Sequence, residues 1–242
     1  MQSRPFNPAT RLITLDLGHT LMWPRYNMLA TAINNFFNTE VSTAQVMQAE
    51  RAFRAKIMPP FKMTSHFRVP IPQNSYEYYS AIIEGCLDGV SVDGFARFAI
   101  LANEYHTAHN WFMSLGTDVI PALELLKTRF TLGVISNANG NLERDLKRLG
   151  IREHFAFVTD SGTEDVSKPD PEIFRRTFAR ADVPAEFVAH VGDHPVADVQ
   201  GAYEAGACPI LFDAQGIYRP SNYPGVPYFR NLVDMAEALI NA

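Results

Sequence analysis

Cysteine is nearly missing from this sequence: Cys86 and Cys208 are the only two, far apart and with no CxxC spacing. That is too few for a disulfide framework, and both read as reduced, buried thiols of a cytosolic protein. Long apolar runs are missing too. No stretch approaches the about 18 residues of a membrane span, and the N-terminal MQSRPFNPATR lacks the apolar core of a signal peptide. The expectation is a cytoplasmic protein with no membrane partner. A basic excess is also absent, with 21 Lys and Arg against 26 Asp and Glu for a formal charge of -5. Binding a phosphate backbone needs a clustered basic face, so no nucleic-acid partner is expected. Internal repeats and low-complexity tracts do not occur. What remains, 242 residues that are 47% hydrophobic and 19% charged, is the composition of one large globular domain or of a domain carrying an insertion.

Short apolar runs alternate with helix-period segments. RLITLD (11 to 16), FTLGVIS (130 to 136), FAFVTD (155 to 160), FVAHVGD (187 to 193) and CPILFD (208 to 213) are apolar on both faces, as strands of a parallel sheet covered by helices on both sides must be. The crossovers include VIPALELLK, NLERDLKRLG, PEIFRRTFARA and ADVQGAYEAGA. The fold class is therefore α/β, a doubly wound parallel sheet. More than a hundred residues separate the first two strands, far beyond one crossover helix. In that interval NMLATAINNFFN, TAQVMQAERAFRAKI, SYEYYSAIIEGCL and VDGFARFAILANEYHTAHNWF place apolar residues three and four apart, which predicts an inserted helical bundle. Residues 57 to 74, with prolines 59, 60, 70 and 72, read as a long loop inside it. The expected division is an α/β core from 1–22 and 116–242 and a helical domain from 23–115.

Ligands of open α/β sheets bind outside the carboxyl ends of the strands. Those ends carry Asp16 with Thr20, Ser136 with Asn137, and Asp193 with Asp198, while Lys168 lies in the loop VSKPDP. Three acids aimed at one crevice repel one another unless a cation lies between them, and oxygen ligands with waters suit Mg²⁺. A lysine and a hydroxyl beside that metal suit a phosphoryl group, whose charge must be neutralised from several directions.

These residues, in this order, resemble the four motifs of the haloacid dehalogenase superfamily of hydrolases. DxDxT is met by Asp16, Gly18 and Thr20 with one departure. The strand ending in Ser or Thr is met by Ser136, the KPDP-type lysine by Lys168, and GDxxxxD by Gly192, Asp193 and Asp198. The resemblance covers nearly the whole chain and implies a Rossmann-like core whose insertion is a helical cap that selects the substrate. It implies that Asp16 attacks phosphorus to form an aspartyl phosphate. Mg²⁺ would be held by Asp16, the carbonyl of Gly18 and Asp193, with Asp198 as a further ligand or an outer-sphere partner. Ser136 and the backbone around Asn137 would bind the phosphoryl oxygens, Lys168 would pair with phosphate and nucleophile, and Thr20 would fix the loop through its hydroxyl.

The departure is Gly18, where phosphatases of the family carry an aspartate that protonates the leaving oxygen and activates water. Its neighbour His19 reads as loop-exposed or cap-facing rather than as a substitute acid, and His194 as shaping the turn after the last motif. In the cap, His66, His106 and His109 read as surface or packing residues. Arg25, Arg51, Arg54, Lys56, Lys62 and Arg68 read as a solvated face, and Tyr76, Tyr78, Tyr79, Phe95, Phe98 and Tyr105 as cap core. The expected protein is a Mg²⁺-dependent phosphatase of a small phosphorylated metabolite, monomeric or homodimeric. Rival readings are a member cleaving a phosphonate or carbon-halogen bond, with Lys56 as a conceivable Schiff-base lysine for the former, or a non-catalytic binder of a phosphorylated ligand. The cap is expected to move as a lid hinged near 22 to 25 and 113 to 118.

Overall fold

The computed structural model describes residues 5–57, 75–89, 91–109 and 114–242. They fall into two compact units, one holding 5–23 and 115–242 and the other the described residues from 24 to 114.

The first unit is built on a six-stranded sheet. Its strands are β1 (Leu12–Leu15), β4 (Thr131–Ser136), β5 (Phe157–Asp160), β6 (Val188–Gly192), β7 (Cys208–Phe212) and β8 (Tyr228–Phe229). They lie in the spatial order β5-β4-β1-β6-β7-β8, and every neighbouring pair is parallel. β1, β6 and β7 are buried at every position, the expected result when helices cover both faces. The chain winds outward from β1 in both directions, so the topological switch point lies beside β1. β8 is absent from the sequence reading because two residues are too few for any periodicity to register.

The crossover helices are α5 (Val119–Lys127), α6 (Leu142–Arg148), α7 (Pro171–Arg180) and α8 (Gly201–Ala205), the last preceded by a π-helical turn at Pro195–Gln200. Their starts follow local chemistry. Asp170 caps α7 by accepting from the Glu172 N–H, with Pro171 in the first turn, where its missing donor is not needed. α8 ends at Gly206, whose φ of 98° places it in the left-handed region that glycine tolerates. A last helix, α9 (Leu232–Ile240), capped by Asn231, packs on α5. β2 (Met22–Trp23) and β3 (Ser114–Leu115) pair as a short two-stranded ribbon where the chain leaves and re-enters this unit.

The second unit contains α1 (Tyr26–Phe37), α2 (Thr43–Ile57), α3 (Ser75–Cys86) and α4 (Val92–His109). Its own core includes Leu29, Ile33, Val46, Tyr79, Ile82 and Phe98, with Tyr78 and Phe95 packed against them. Tyr105 is exposed. Arg25, Arg51 and Lys56 lie on the surface, but Arg54 is buried, contrary to its reading as part of a solvated face. It sits one turn after the fully buried Glu50, whose carboxylate accepts from the hydroxyls of Tyr26 at 2.5 Å and Tyr78 at 2.6 Å. The expected loop at 58 to 74, with His66, Lys62 and Arg68, and the side chains of Tyr76, His106 and His109 lie outside the described residues. Among the described residues, no helix is long and apolar enough to cross a membrane.

Candidate active site

The carboxyl ends of β1, β4 and β6 are level with one another because the register pairs Leu15 with both Val134 and Val191. Asp16 follows β1 directly and its N–H donates to Val191 O at 2.9 Å, so its side chain emerges at the switch point. The carboxylate is buried. Its Oδ1 accepts from Lys168 Nζ at 2.5 Å and from Ser136 Oγ at 3.0 Å. Among the described residues the hydrogen bonds to this side chain reach Oδ1 alone, which leaves Oδ2 without a protein donor.

Lys168 is 3% exposed and joins two carboxylates, Asp16 Oδ1 and, at 2.6 Å, Asp198 Oδ1. Asn137 fixes its backbone, with Oδ1 accepting from Lys168 N at 2.9 Å and Nδ2 donating to Lys168 O at 2.8 Å. This clamp is what the Asn137 side chain does here. Asp193 is buried as well, and Asp16, Asp193 and Asp198 each offer a carboxylate oxygen within 4.8 Å of the others.

Three buried carboxylates lie around one ammonium, which concentrates negative charge in a place with little water. The titration of the groups reflects this. Burial works against the Lys168 charge, but Asp16 and Asp198 outweigh it and hold the ammonium above the ordinary lysine value. Asp198 is held well below the usual carboxylate range; burial opposes this, and Lys168 and His190 overcome it. Asp16 moves the other way, raised by burial and by Asp198 despite Lys168. Asp16 is thus the acid whose charge most needs a further cation.

Gly18 is half-buried, and among the described residues a Cβ built on it would meet nothing closer than Asp16 Oδ2 at 4.0 Å. Its φ is not in the left-handed region, so neither space nor backbone requires glycine there. His19 is the residue that does take positive φ, at 54°, and its N–H donates to Met22 O at 2.7 Å. Thr20 is fully buried, but the expected loop-fixing bond is not present: its hydroxyl has no protein partner among the described residues.

His194 shapes the turn after β6 from both ends. Its Nδ1 accepts from Val196 N and Ala197 N at 3.1 Å each, and its own N–H donates to Asp198 Oδ2 at 2.9 Å. Gly192 is glycine for a steric reason, since a Cβ there would lie 2.2 Å from Asp198 Cγ. The acid occupies the volume of the missing side chain.

Two residues escape the sequence reading. Asp160, at the end of β5, accepts from Gly140 N at 3.1 Å, Leu142 N at 2.9 Å and Gly162 N at 2.8 Å, and so ties the loop after β4 to the loop after β5. Its signal was the same as that of Asp16 and Asp193, an acid ending an apolar strand. His190 lies within β6, fully buried between Thr14 and Asp198. Its signal was a polar ring in the apolar run FVAHVGD, because a buried polar group must find partners.

Comparison with known proteins agrees with this arrangement. The family model for haloacid dehalogenase-like hydrolase matches residues 116–206. The haloacid dehalogenase-like hydrolase domain-containing protein 3 of Danio rerio is 31% identical over 164 residues, covering 66% of each chain. A phosphoserine phosphatase of Thermus thermophilus is 35% identical over 121 residues, 48% of each chain. The chain thus spans less than two thirds of the length of these curated relatives. Among solved structures, the 2-haloacid dehalogenase of Pseudomonas syringae pv. tomato is 26% identical, with a TM-score of 0.59 over 96% of this chain and 99% of that one.

Proposed function

This chain belongs to the haloacid dehalogenase-like hydrolases, and from that premise we propose that it is a Mg²⁺-dependent phosphatase of a small phosphomonoester, working through an aspartyl phosphate on Asp16. The observation that carries the reading is the buried group of Asp16, Asp193 and Asp198, whose carboxylate oxygens lie within 4.8 Å of one another beside the Lys168 ammonium. Its donors are hard oxygens, as Mg²⁺ requires. Asp16, Asp193 and the Gly18 carbonyl would hold the ion. Asp198 fits less well as a direct ligand, because its Oδ1 already serves Lys168 and His190 and its Oδ2 the His194 N–H. When bound, the ion supplies positive charge next to the transferring phosphoryl group.

The chain's own residues account for the rest. Asp16 Oδ2, held by no protein donor, is the oxygen placed to attack phosphorus, while Lys168 and Ser136 fix Oδ1. The new bond joins Oδ2 to phosphorus, and the bond from phosphorus to the leaving oxygen breaks. Water then cleaves the acyl phosphate and regenerates the carboxylate. With glycine at position 18, no carboxylic acid protonates the leaving oxygen at the place where relatives carry one. The phosphoserine phosphatase relative supports a small phosphorylated substrate.

A screen of phosphorylated metabolites with and without Mg²⁺ tests the reading. Release of inorganic phosphate that depends on Mg²⁺ is expected, and no release from any ester would overturn it. Likeness to a 2-haloacid dehalogenase and the open space at Gly18 favour a second reading, halide displacement from a haloacid. Against it, halide displacement needs no cation, and the clustering of Asp193 and Asp198 beside Asp16 would have no use in it. Halide release measured in the same screen distinguishes the two.

A further inference from the structure

We propose that His190 is a positioning residue: its imidazole, held by Thr14 on one side and facing Asp198 on the other, fixes the Asp198 carboxylate and through it the Lys168 ammonium on Asp16. The inference deepens the reading above and rests on Asp16 as the nucleophile.

The placement begins in the sheet register. Thr14 and His190 are direct partners on the adjacent parallel strands β1 and β6, so their side chains stand side by side on one face. His190 Nδ1 lies 2.9 Å from Thr14 Oγ1, and Nε2 lies 3.1 Å from Asp198 Oδ1. The Phe174 ring from α7 meets the imidazole edge to face, with centroids 4.9 Å apart and an interplanar angle of 84°. Each of these surfaces restrains the ring, and none of its atoms is open to solvent.

The tautomer follows from the donor inventory. A carboxylate only accepts, so the nitrogen facing Asp198 carries the proton. In a ring with a single proton, Nδ1 is then an acceptor, and the Thr14 hydroxyl is the donor it meets. The result is a directed chain: Thr14 donates to His190, His190 donates to Asp198, and Lys168 donates to Asp198 and Asp16.

The chain matters because Asp198 has few other restraints on its torsion. Gly192 leaves it room rather than holding it, and the His194 N–H fixes Oδ2. Among the described residues, Oδ1 is fixed by Lys168 and His190 alone. Without the imidazole donor, Oδ1 would be anchored only by the flexible lysine whose position it is meant to define. The Lys168 ammonium could then follow Asp198 away from Asp16, and Oδ2 of the nucleophile would lose its fixed direction. Removing such outer partners in metal sites costs about 10 to 100-fold in activity or affinity.

Two substitutions separate positioning from mere space-filling. The amide nitrogen of His190→Gln falls near Nε2 and keeps a donor for Asp198, whereas the amide of His190→Asn falls near Nδ1 and reaches only Thr14. On the best phosphate ester, His190→Gln is expected within about threefold of wild-type kcat, and His190→Asn is expected to lose about 10 to 100-fold in kcat with KM little changed. Equal kcat in the two folded variants overturns the proposal. Nitrogen NMR of the wild-type imidazole needs neither a variant nor turnover: a proton on Nε2 with Nδ1 accepting is expected, and a proton on Nδ1 alone overturns it. If His190→Asn does not fold, that spectrum and the His190→Gln rate decide. If the wild type hydrolyses no ester, the phosphatase reading fails separately, and the tautomer together with the protection of the Lys168 ammonium protons from exchange, kept in His190→Gln and lost in His190→Asn, still decides the role of His190.

Discussion

Gly18 and Gly192 are both glycines in motif positions, and the structure gives them opposite meanings. At Gly192 an added Cβ would lie 2.2 Å from Asp198 Cγ and 2.4 Å from its Oδ2, so Gly192→Ala must push the acid off Lys168 and His190. The variant is expected to lose stability by about 1 to 3 kcal/mol, read by urea unfolding, because buried charged partners are separated. At Gly18, among the described residues, nothing but Asp16 Oδ2 lies within 4.0 Å of an added Cβ. Gly18→Asp is therefore expected to fold, with melting temperature close to wild type. It should speed hydrolysis of alkyl phosphates most, by up to about the 10² to 10⁴-fold worth of a general acid, and of aryl phosphates least. A flat response across leaving groups would place the acid elsewhere, with His19 the first residue to substitute. Asp16→Asn is the complementary change: near-isosteric, folded and without turnover, since an amide oxygen is a poor nucleophile. Retained phosphatase activity in that variant would remove the covalent route. Asp16, Ser136, Lys168 and Asp198 were legible in the sequence because each ends a strand or sits in a loop at the carboxyl edge. His190 and Thr14 were not, because their partnership depends on a strand register that a single apolar run does not reveal.

The elements that matter most for the site are its loops, and those after β4, β5 and β6 are held by side chains that accept from backbone donors. Asp160 is the clearest case, with three N–H groups from the loops after β4 and β5 converging on one carboxylate. Gly162 lets the two loops touch, since a Cβ there would lie 2.3 Å from Gly140 N. Asp160→Ala leaves the buried Leu142 donor unsatisfied and frees the loops at Gly140 and Gly162, and is expected to cost about 1 to 3 kcal/mol. Because the same loop begins at Ser136 and Asn137, the loss should come with a lower kcat, checked by parallel unfolding and rate measurements. His194→Ala removes two donors' acceptor at the start of the π-helical turn and should cost about 1 kcal/mol, as loss of a cap does. Longer elements were easy to read in advance. VIPALELLK and TAQVMQAERAFRAKI coincide with α5 and α2, because their apolar spacing runs over at least two turns. The edge strand Tyr228–Phe229 was not, being shorter than any period. The π-helical turn was hidden for another reason: its geometry answers to His194 and Asp198, not to the propensities of PVADVQ.

At the scale of the molecule, each unit has a hydrophobic core of its own. The helical one centres on Ile33, Tyr79 and Phe98. The sheet unit includes a cluster around Leu12, Ile135, Phe174 and Val188. The chain crosses from one to the other beside the paired strands Met22–Trp23 and Ser114–Leu115, which brings the two crossing points within one strand spacing, about 5 Å. A short linker from Trp23 to Leu115 would therefore span the gap without strain, and the excised sheet unit is expected to fold. Every side chain of the carboxylate group, Asp16, Asp193, Asp198, Lys168 and His190, belongs to that unit. Its affinity for Mg²⁺ should survive excision, and saturation at 100 times Kd should stabilise the excised and full-length proteins alike by about 2.7 kcal/mol. If the inserted helices select the substrate, as the family resemblance implies, discrimination among phosphorylated metabolites should fall. The comparison needs thermal melts with and without Mg²⁺ and the same metabolite screen on both proteins. Loss of Mg²⁺ stabilisation on excision would mean that the helical unit supplies part of the metal site, and an unchanged substrate ranking would remove its role in selection.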